Sequence, residues 1–177
     1  GPLNYSFDLA GARFVVLDTS QEFLSPEQLA WLDTTLKTDK TKFVFTHMPP
    51  LHFKSWTLGV TGIKEGGDEF VKLMAERKVD RVYMGHIHGY GLAQRDGVRY
   101  VISGGGGSPL YLLLPSGGPK LFYHYITVAL AADGIHETVH PLEGAPFEIA
   151  WPKVQEDFDL LIEGQSGLVA GLPRSAQ

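Results

Sequence analysis

In Arg81-Val82-Tyr83-Met84-Gly85-His86-Ile87-His88-Gly89 a buried strand stops at a glycine and presents two imidazoles one residue apart. Alternate side chains of an extended segment point the same way. His86 and His88 therefore face one site, while Ile87 turns into the packing behind them. The flanking glycines let the backbone turn tightly and let an ion or ligand approach. Lys42-Phe43-Val44-Phe45-Thr46-His47-Met48-Pro49-Pro50 repeats the design, with His47 at the carboxyl end of an apolar strand and two prolines stiffening the loop. Between the two lies a helical pattern over residues 69–78, with Asp68 as its cap and Phe70, Leu73 and Met74 facing inward. Strand, helix and strand in succession imply a right-handed crossover and neighbouring parallel strands. Both His-bearing loops then lie at the carboxyl ends of parallel strands, where open α/β sheets place their ligands. His47 and His86, distant in sequence, become close in space.

Working outward, residues 5–9 and 13–17 read as a hairpin across Ala10-Gly11-Ala12, and Phe14-Val15-Val16-Leu17 as an interior strand apolar on both faces. A helix comes next. Ser25 is its N-cap, Pro26 its first residue and Gln28 the partner in a capping box. Leu24 and Leu29 form a hydrophobic staple, and Leu29, Leu32 and Leu36 the buried stripe. Residues 51–67 form a long irregular loop containing Trp56, of the kind that is often functional. After Gly91 the character is β. Asp96-Gly97 joins residues 92–95 to 98–102, and Asp133-Gly134 joins an alternating run from Phe122 to a run ending at Val139. From about residue 146 the periodicity fades; residues 147–161 add one element and residues 172–177 a loose tail.

A chain of 177 residues, 44% hydrophobic, is the size of one domain with a packed core. A net charge of −5 with no Lys/Arg cluster speaks against nucleic-acid binding through a basic face. No apolar run approaches a membrane span. The absence of cysteine excludes disulfides, thiolate nucleophiles and Cys-based zinc sites. Gly1-Pro2-Leu3-Asn4 runs directly into a strand, so the chain does not begin like a complete protein, and no compartment can be assigned.

Imidazole is a good ligand for divalent ions, and three His converging from two strand ends suffice to hold one. The run Gly104–Gly107 is not a phosphate loop, because Ser108-Pro109 leads into β structure rather than a helix. Gly105 and Gly106 are still candidates to border a substrate, and His52 either lines the same pocket or is a solvated loop residue. His124 shares a strand face with Phe122, Ile126 and Val128 and reads as a core histidine, whereas His136 and His140 read as hairpin surface. Asp18 either supports the site from behind or caps a turn. Trp56 reads as closing its loop, in preference to stacking on a substrate base.

Phe45-Thr46-His47-Met48-Pro49-Pro50 and Met84-Gly85-His86-Ile87-His88-Gly89 resemble the last two metal-ligand motifs of the calcineurin-like metallophosphoesterases. Tyr5-Ser6-Phe7-Asp8, Val16-Leu17-Asp18-Thr19, the run from Ser25 to Leu32 and Val79-Asp80-Arg81-Val82 occur in that family's usual order. The resemblance covers roughly residues 5–140 and is nearest to the branch of cyclic-nucleotide phosphodiesterase-like proteins and purple acid phosphatases. It implies an α/β fold, part of an α/β sandwich of mixed sheets flanked by helices with its N-terminal half missing. Residues 1–145 would be the C-terminal portion of that domain and 146–177 an extension. It implies hydrolysis of a phosphate mono- or diester at two divalent ions (Mn, Fe or Zn). His47 and His86 would bind one ion and His88 the other.

The family's Asp-x-His, Gly-Asp and Gly-Asn-His motifs have no counterpart upstream of Tyr5. This chain alone is therefore expected to be inactive and to hold at most one ion, weakly. Expected partners are a phosphate-ester small molecule, the N-terminal half of the same domain, and a second copy through exposed sheet; neither nucleic acid nor membrane is expected. A non-catalytic metal-binding or scaffolding module and a mononuclear three-His hydrolase are the alternatives. Gly66-Gly67-Asp68-Glu69-Phe70 matches the diguanylate cyclase pentapeptide letter for letter, but it opens a helix here rather than a hairpin, so the match is rejected.

Overall fold

The computed structural model describes residues 1–50, 62–110 and 121–151. Within them the order is β1 (Tyr5–Leu9), β2 (Ala12–Leu17), α1 (Pro26–Thr35), β3 (Thr41–Thr46), α2 (Gly67–Glu76), β4 (Arg81–Met84), β5 (Tyr90–Arg95), β6 (Val98–Ser103), β7 (His124–Ala131), β8 (Gly134–Pro141) and β9 (Phe147–Glu148). One mixed sheet runs β1-β2-β3-β4-β6-β5 and a smaller antiparallel one runs β7-β8-β9. β2, β3, β4 and β6 are mutually parallel, as the strand–helix–strand reading requires, while β1 and β5 close the sheet antiparallel.

Local chemistry sets the elements. The turns Ala10-Gly11 and Asp96-Gly97 each hold two residues at positive φ (49° and 80°, 49° and 78°), the geometry that matches the twist of a tight hairpin. Ser25 caps α1 reciprocally with Gln28, and Pro26 begins it. At α2 the expectation is corrected. The N-cap is Gly66 at φ 78°, without a side-chain cap, and Asp68 sits inside the first turn with Glu69. Gly66 is required there because a Cβ would lie 2.7 Å from the Leu24 carbonyl oxygen. The two carboxylates still stabilise the helix, through the positive end of its dipole.

The parallel register decides the two faces. Val15, Val44, Val82 and Tyr100 align across the strands and pack with Leu32, Leu36, Phe70 and Met74 from the helices. The opposite face carries an aromatic ladder, with Phe7 on Phe14, Phe14 on Phe43 and Phe45 on Tyr83 at centroid distances of 5.1 to 5.3 Å. The second sheet packs on part of this face, joining Tyr90, Leu92 and Val101 to Val139, Ile149 and Trp151. At that seam Glu137, 1% exposed, accepts hydrogen bonds from Arg81 (2.6 Å), Tyr83 and Trp151. Burial, and then the Glu137 charge, push the Tyr83 phenol well above its ordinary pKa. Arg81 and Arg99 both lie over the Trp151 ring, at 5.2 and 5.4 Å. The segment 147–151 is thus bound into the core by a buried carboxylate and two guanidinium groups.

Three strands cover six. Tyr5 and Phe7 on β1 remain 45% and 47% exposed, and Val128 and Leu130 on β7 remain 42% and 41% exposed. β7 is one edge of its sheet among the described strands.

Candidate metal centre

The carboxyl ends of β2, β3, β4 and β6 converge at one rim of the sheet. β3 ends at Thr46, whose hydroxyl lies 2.8 Å from that of Thr19, two residues past the end of β2. The buried Thr19 oxygen also accepts the Met48 N–H at 2.9 Å. From the other side, the Gly85 N–H donates to the His47 carbonyl at 3.0 Å. His47 is therefore fixed by its neighbours on both sequence sides. Asp18 serves its own turn, accepting the Ser20 N–H, so turn capping is the role the geometry gives it.

β4 ends at Gly85 and passes into His86 at φ 64°, a left-handed conformation uncommon for a residue with a side chain. This turn brings His86 Nδ1 to 3.3 Å from His47 Nε2, with the rings edge to face at 5.2 Å. Gly85 keeps the approach open, since a Cβ there would stand 3.3 Å from His47 Nδ1. His88 is held separately, its Nδ1 lying 2.7 Å from the Pro109 carbonyl oxygen. A carbonyl only accepts, so Nδ1 carries the proton and the lone pair sits on Nε2.

Two imidazole nitrogens at this separation suit one borderline divalent ion, and a His whose other nitrogen is tied to a carbonyl is the usual form of a metal ligand. Among the described residues, no three His, Asp or Glu side chains are gathered as a metal-binding group. The donors present fit part of a coordination sphere: His47 with His86, and His88 apart.

Of the other expected residues, Gly106 lines an open cleft of about 770 Å³ between the sheets, together with His47, Phe45, Ile126 and Val128. Gly105 is instead a packing position, where a Cβ would lie 2.6 Å from the Phe122 carbonyl oxygen. His52 and Trp56 lie outside the described residues. His124 is a core histidine as expected, 6% exposed, its pKa held below the ordinary value by burial. His136 is a surface residue paired with Asp133 and Glu148, which raise its pKa. His140 stacks on Tyr125 on the same outer face. Sequence reasoning missed Thr19, Ser103 and the Pro109 carbonyl, because their partners come from distant strands and no local pattern announces them.

No family model matches the chain. It is 30% identical over 120 residues to purple acid phosphatase 23 of Arabidopsis thaliana, covering 66% of this chain and 26% of that protein. Among solved structures it is similar to the purple acid phosphatase PPD1 of yellow lupin (Lupinus luteus), with a TM-score of 0.65, 16% identity, 82% of this chain and 31% of that one. The chain carries the calcineurin-like metallophosphoesterase fold. A dimetal phosphatase from Danio rerio shares it at TM-score 0.58 and 14% identity, covering 82% of this chain and 60% of that one. GAP50, the anchor in the inner membrane complex of Plasmodium, shares it at TM-score 0.54 and 14% identity, covering 86% and 55%. The chain spans about a quarter of the Arabidopsis relative and under a third of the lupin purple acid phosphatase.

Proposed function

We propose that this chain is the C-terminal part of a metal-dependent phosphoesterase that hydrolyses a phosphate mono- or diester at a dinuclear centre. The observation that carries the reading is the His47–His86 pair at the ends of adjacent parallel strands, with His88 held apart in a single tautomer. His47 Nε2 and His86 Nδ1 would hold one divalent ion, and His88 Nε2 would contribute to a second. When bound, such ions supply Lewis acidity to the phosphate oxygens. The chain's own part is to fix these nitrogens, through Thr19, Gly85 and Pro109, and to border the substrate's approach with Gly106.

The bridging carboxylate and the group that protonates the leaving oxygen are assigned to an upstream half of the same domain. Three features support this: the chain covers only part of its relatives, Tyr5 and Phe7 on β1 are about half-exposed, and β7 is an edge among the described strands. An uncharged edge strand such as His124–Ala131 invites further strands. Residues 1–177 alone are therefore inactive and hold at most one ion. The experiment is hydrolysis of an activated aryl phosphodiester with manganese, by this chain and by the chain joined to its upstream half. Turnover by the joined protein alone is expected. Robust turnover by residues 1–177 would overturn the incompleteness. No turnover by either would favour the scaffolding alternative, which the anchor role named for GAP50 makes concrete on this fold.

A further inference from the structure

His124 is the buried imidazole that the proposed chemistry leaves unused. It stands at the start of β7, 6% exposed, and both of its ring nitrogens are engaged. Nδ1 lies 2.9 Å from the Phe122 carbonyl oxygen, so it carries the proton and donates. Nε2 lies 3.1 Å from the Ser103 hydroxyl and therefore accepts from it. The ring is neutral, fixed in one tautomer, and bolts the last residue of β6 to the first of β7.

Immediately after Ser103 the chain forms a two-glycine layer with no room on either side. A Cβ on Gly104 would collide with the Ile87 carbonyl oxygen and lie 3.2 Å from the His88 α-carbon. A Cβ on Gly105 would collide with His124 Nδ1. Backbone bonds seal both faces: the Gly104 N–H donates to the Gly89 carbonyl at 2.8 Å and the His124 N–H to the Gly105 carbonyl at 3.0 Å. The same loop then continues to Pro109, whose carbonyl receives His88 Nδ1. The His88 segment is thus held twice by residues 103–109, through the Gly89 carbonyl at Gly104 and through the His88 imidazole at Pro109.

We propose that His124 is a positioning residue for the metal-ligand loop: by anchoring Ser103 and pressing on Gly105, it fixes the course of residues 103–109 and thereby the place and tautomer of His88. The link to metal rests on the reading of His88 as a ligand; the link to its tautomer does not.

The test uses two readouts on the wild type and on His124→Phe, which keeps a ring and loses both hydrogen bonds. Long-range proton–nitrogen spectra at about pH 8, where imidazoles are neutral, report the His88 tautomer. Titration with zinc alone and with manganese alone, on the chain joined to its upstream half, reports ion affinity. The wild type shows a single Nδ1–H tautomer at His88. His124→Phe gives a mixture of tautomers and loses about 10- to 100-fold in affinity for the ion that His88 holds, the usual effect of removing support behind a ligand. His124→Asn, whose amide can still donate toward the Phe122 carbonyl, recovers part of both. If His124→Phe does not fold, Ser103→Ala removes the donor to Nε2 and must shift the His88 tautomer population in the same direction. A single unchanged His88 tautomer in the folded variant overturns the proposal. Absence of ion binding by the wild type would overturn the ligand reading instead, and the tautomer result would still decide the role of His124.

Discussion

His47 Nε2 and His86 Nδ1 stand 3.3 Å apart across the ends of neighbouring parallel strands, whose loops are joined by the Gly85 N–H on the His47 carbonyl. Two ligands of one ion act as a unit, so their contributions should not add. Replacing either with Ala is expected to lower affinity for zinc or manganese by at least ~100-fold, beyond what the loss of outer support costs. The double variant should lose little more than the worse single one. His88→Ala, acting on a separate ion, should combine additively with either. Calorimetric titration of the variants, made in the chain joined to its upstream half, checks this, and simple additivity of His47→Ala with His86→Ala would break the shared-ion assignment.

Thr19 carries a structural consequence for the same loop. Its hydroxyl accepts the Met48 N–H and pairs with Thr46, all in a buried setting. Thr19→Val keeps the shape and removes the oxygen, leaving a buried N–H and a buried hydroxyl with a lost partner. That should cost about 1–3 kcal/mol, read from urea unfolding, with Thr19→Ser restoring most of it. A change below ~0.5 kcal/mol in Thr19→Val would show that the bond does not hold the loop.

Glu137 ties the two sheets together at the other end of the molecule. It is the common acceptor for Arg81, Tyr83 and Trp151, and Arg81 is itself only 3% exposed. Glu137→Ala strands a buried guanidinium and should destabilise by about 3–5 kcal/mol. Replacing both charged partners with apolar residues, Arg81→Met with Glu137→Leu, should recover part of that loss, because the desolvation cost disappears with the charges while Tyr83 and Trp151 still lose their acceptor. Denaturant unfolding of the single and double variants distinguishes the two cases.

The local half of this structure is readable in the sequence. Ser25 and Gln28, Ala10-Gly11 and Asp96-Gly97 each encode their geometry within four residues, and the apolar runs at 42–46 and 81–84 announce parallel strands. The cap of α2 is not readable in the same way, because the deciding contact, Gly66 against Leu24, joins segments 42 residues apart. His47 and His86 are legible as a pair because glycine and strand ends flag them. Thr19, Ser103 and Pro109 are not, since a hydroxyl or carbonyl becomes a support only through what the topology sets beside it. Which half of the sheet face is covered is likewise hidden, because β7 alternates like any half-buried strand.

Two histidines outside the centre should give the stability opposite pH dependences. Burial holds the His124 pKa below its ordinary 6.5. The unfolded chain then takes up the proton first, so the contribution from the neutral ring is full above about 6.5 and is lost as pH falls through the folded pKa. His136 is raised above 6.5, first by Asp133 and then by Glu148. Its contribution is full below about 6.5 and is lost as pH rises through the folded pKa. Urea unfolding across this range should show His124→Phe flattening the acid side and His136→Gln flattening the alkaline side, the second effect being small because that pair is exposed. Direct titration of the two imidazoles by NMR provides the sharper check. A His124 midpoint above 6.5 would remove the neutral, doubly bonded ring on which the anchoring of Ser103 and Gly105 depends.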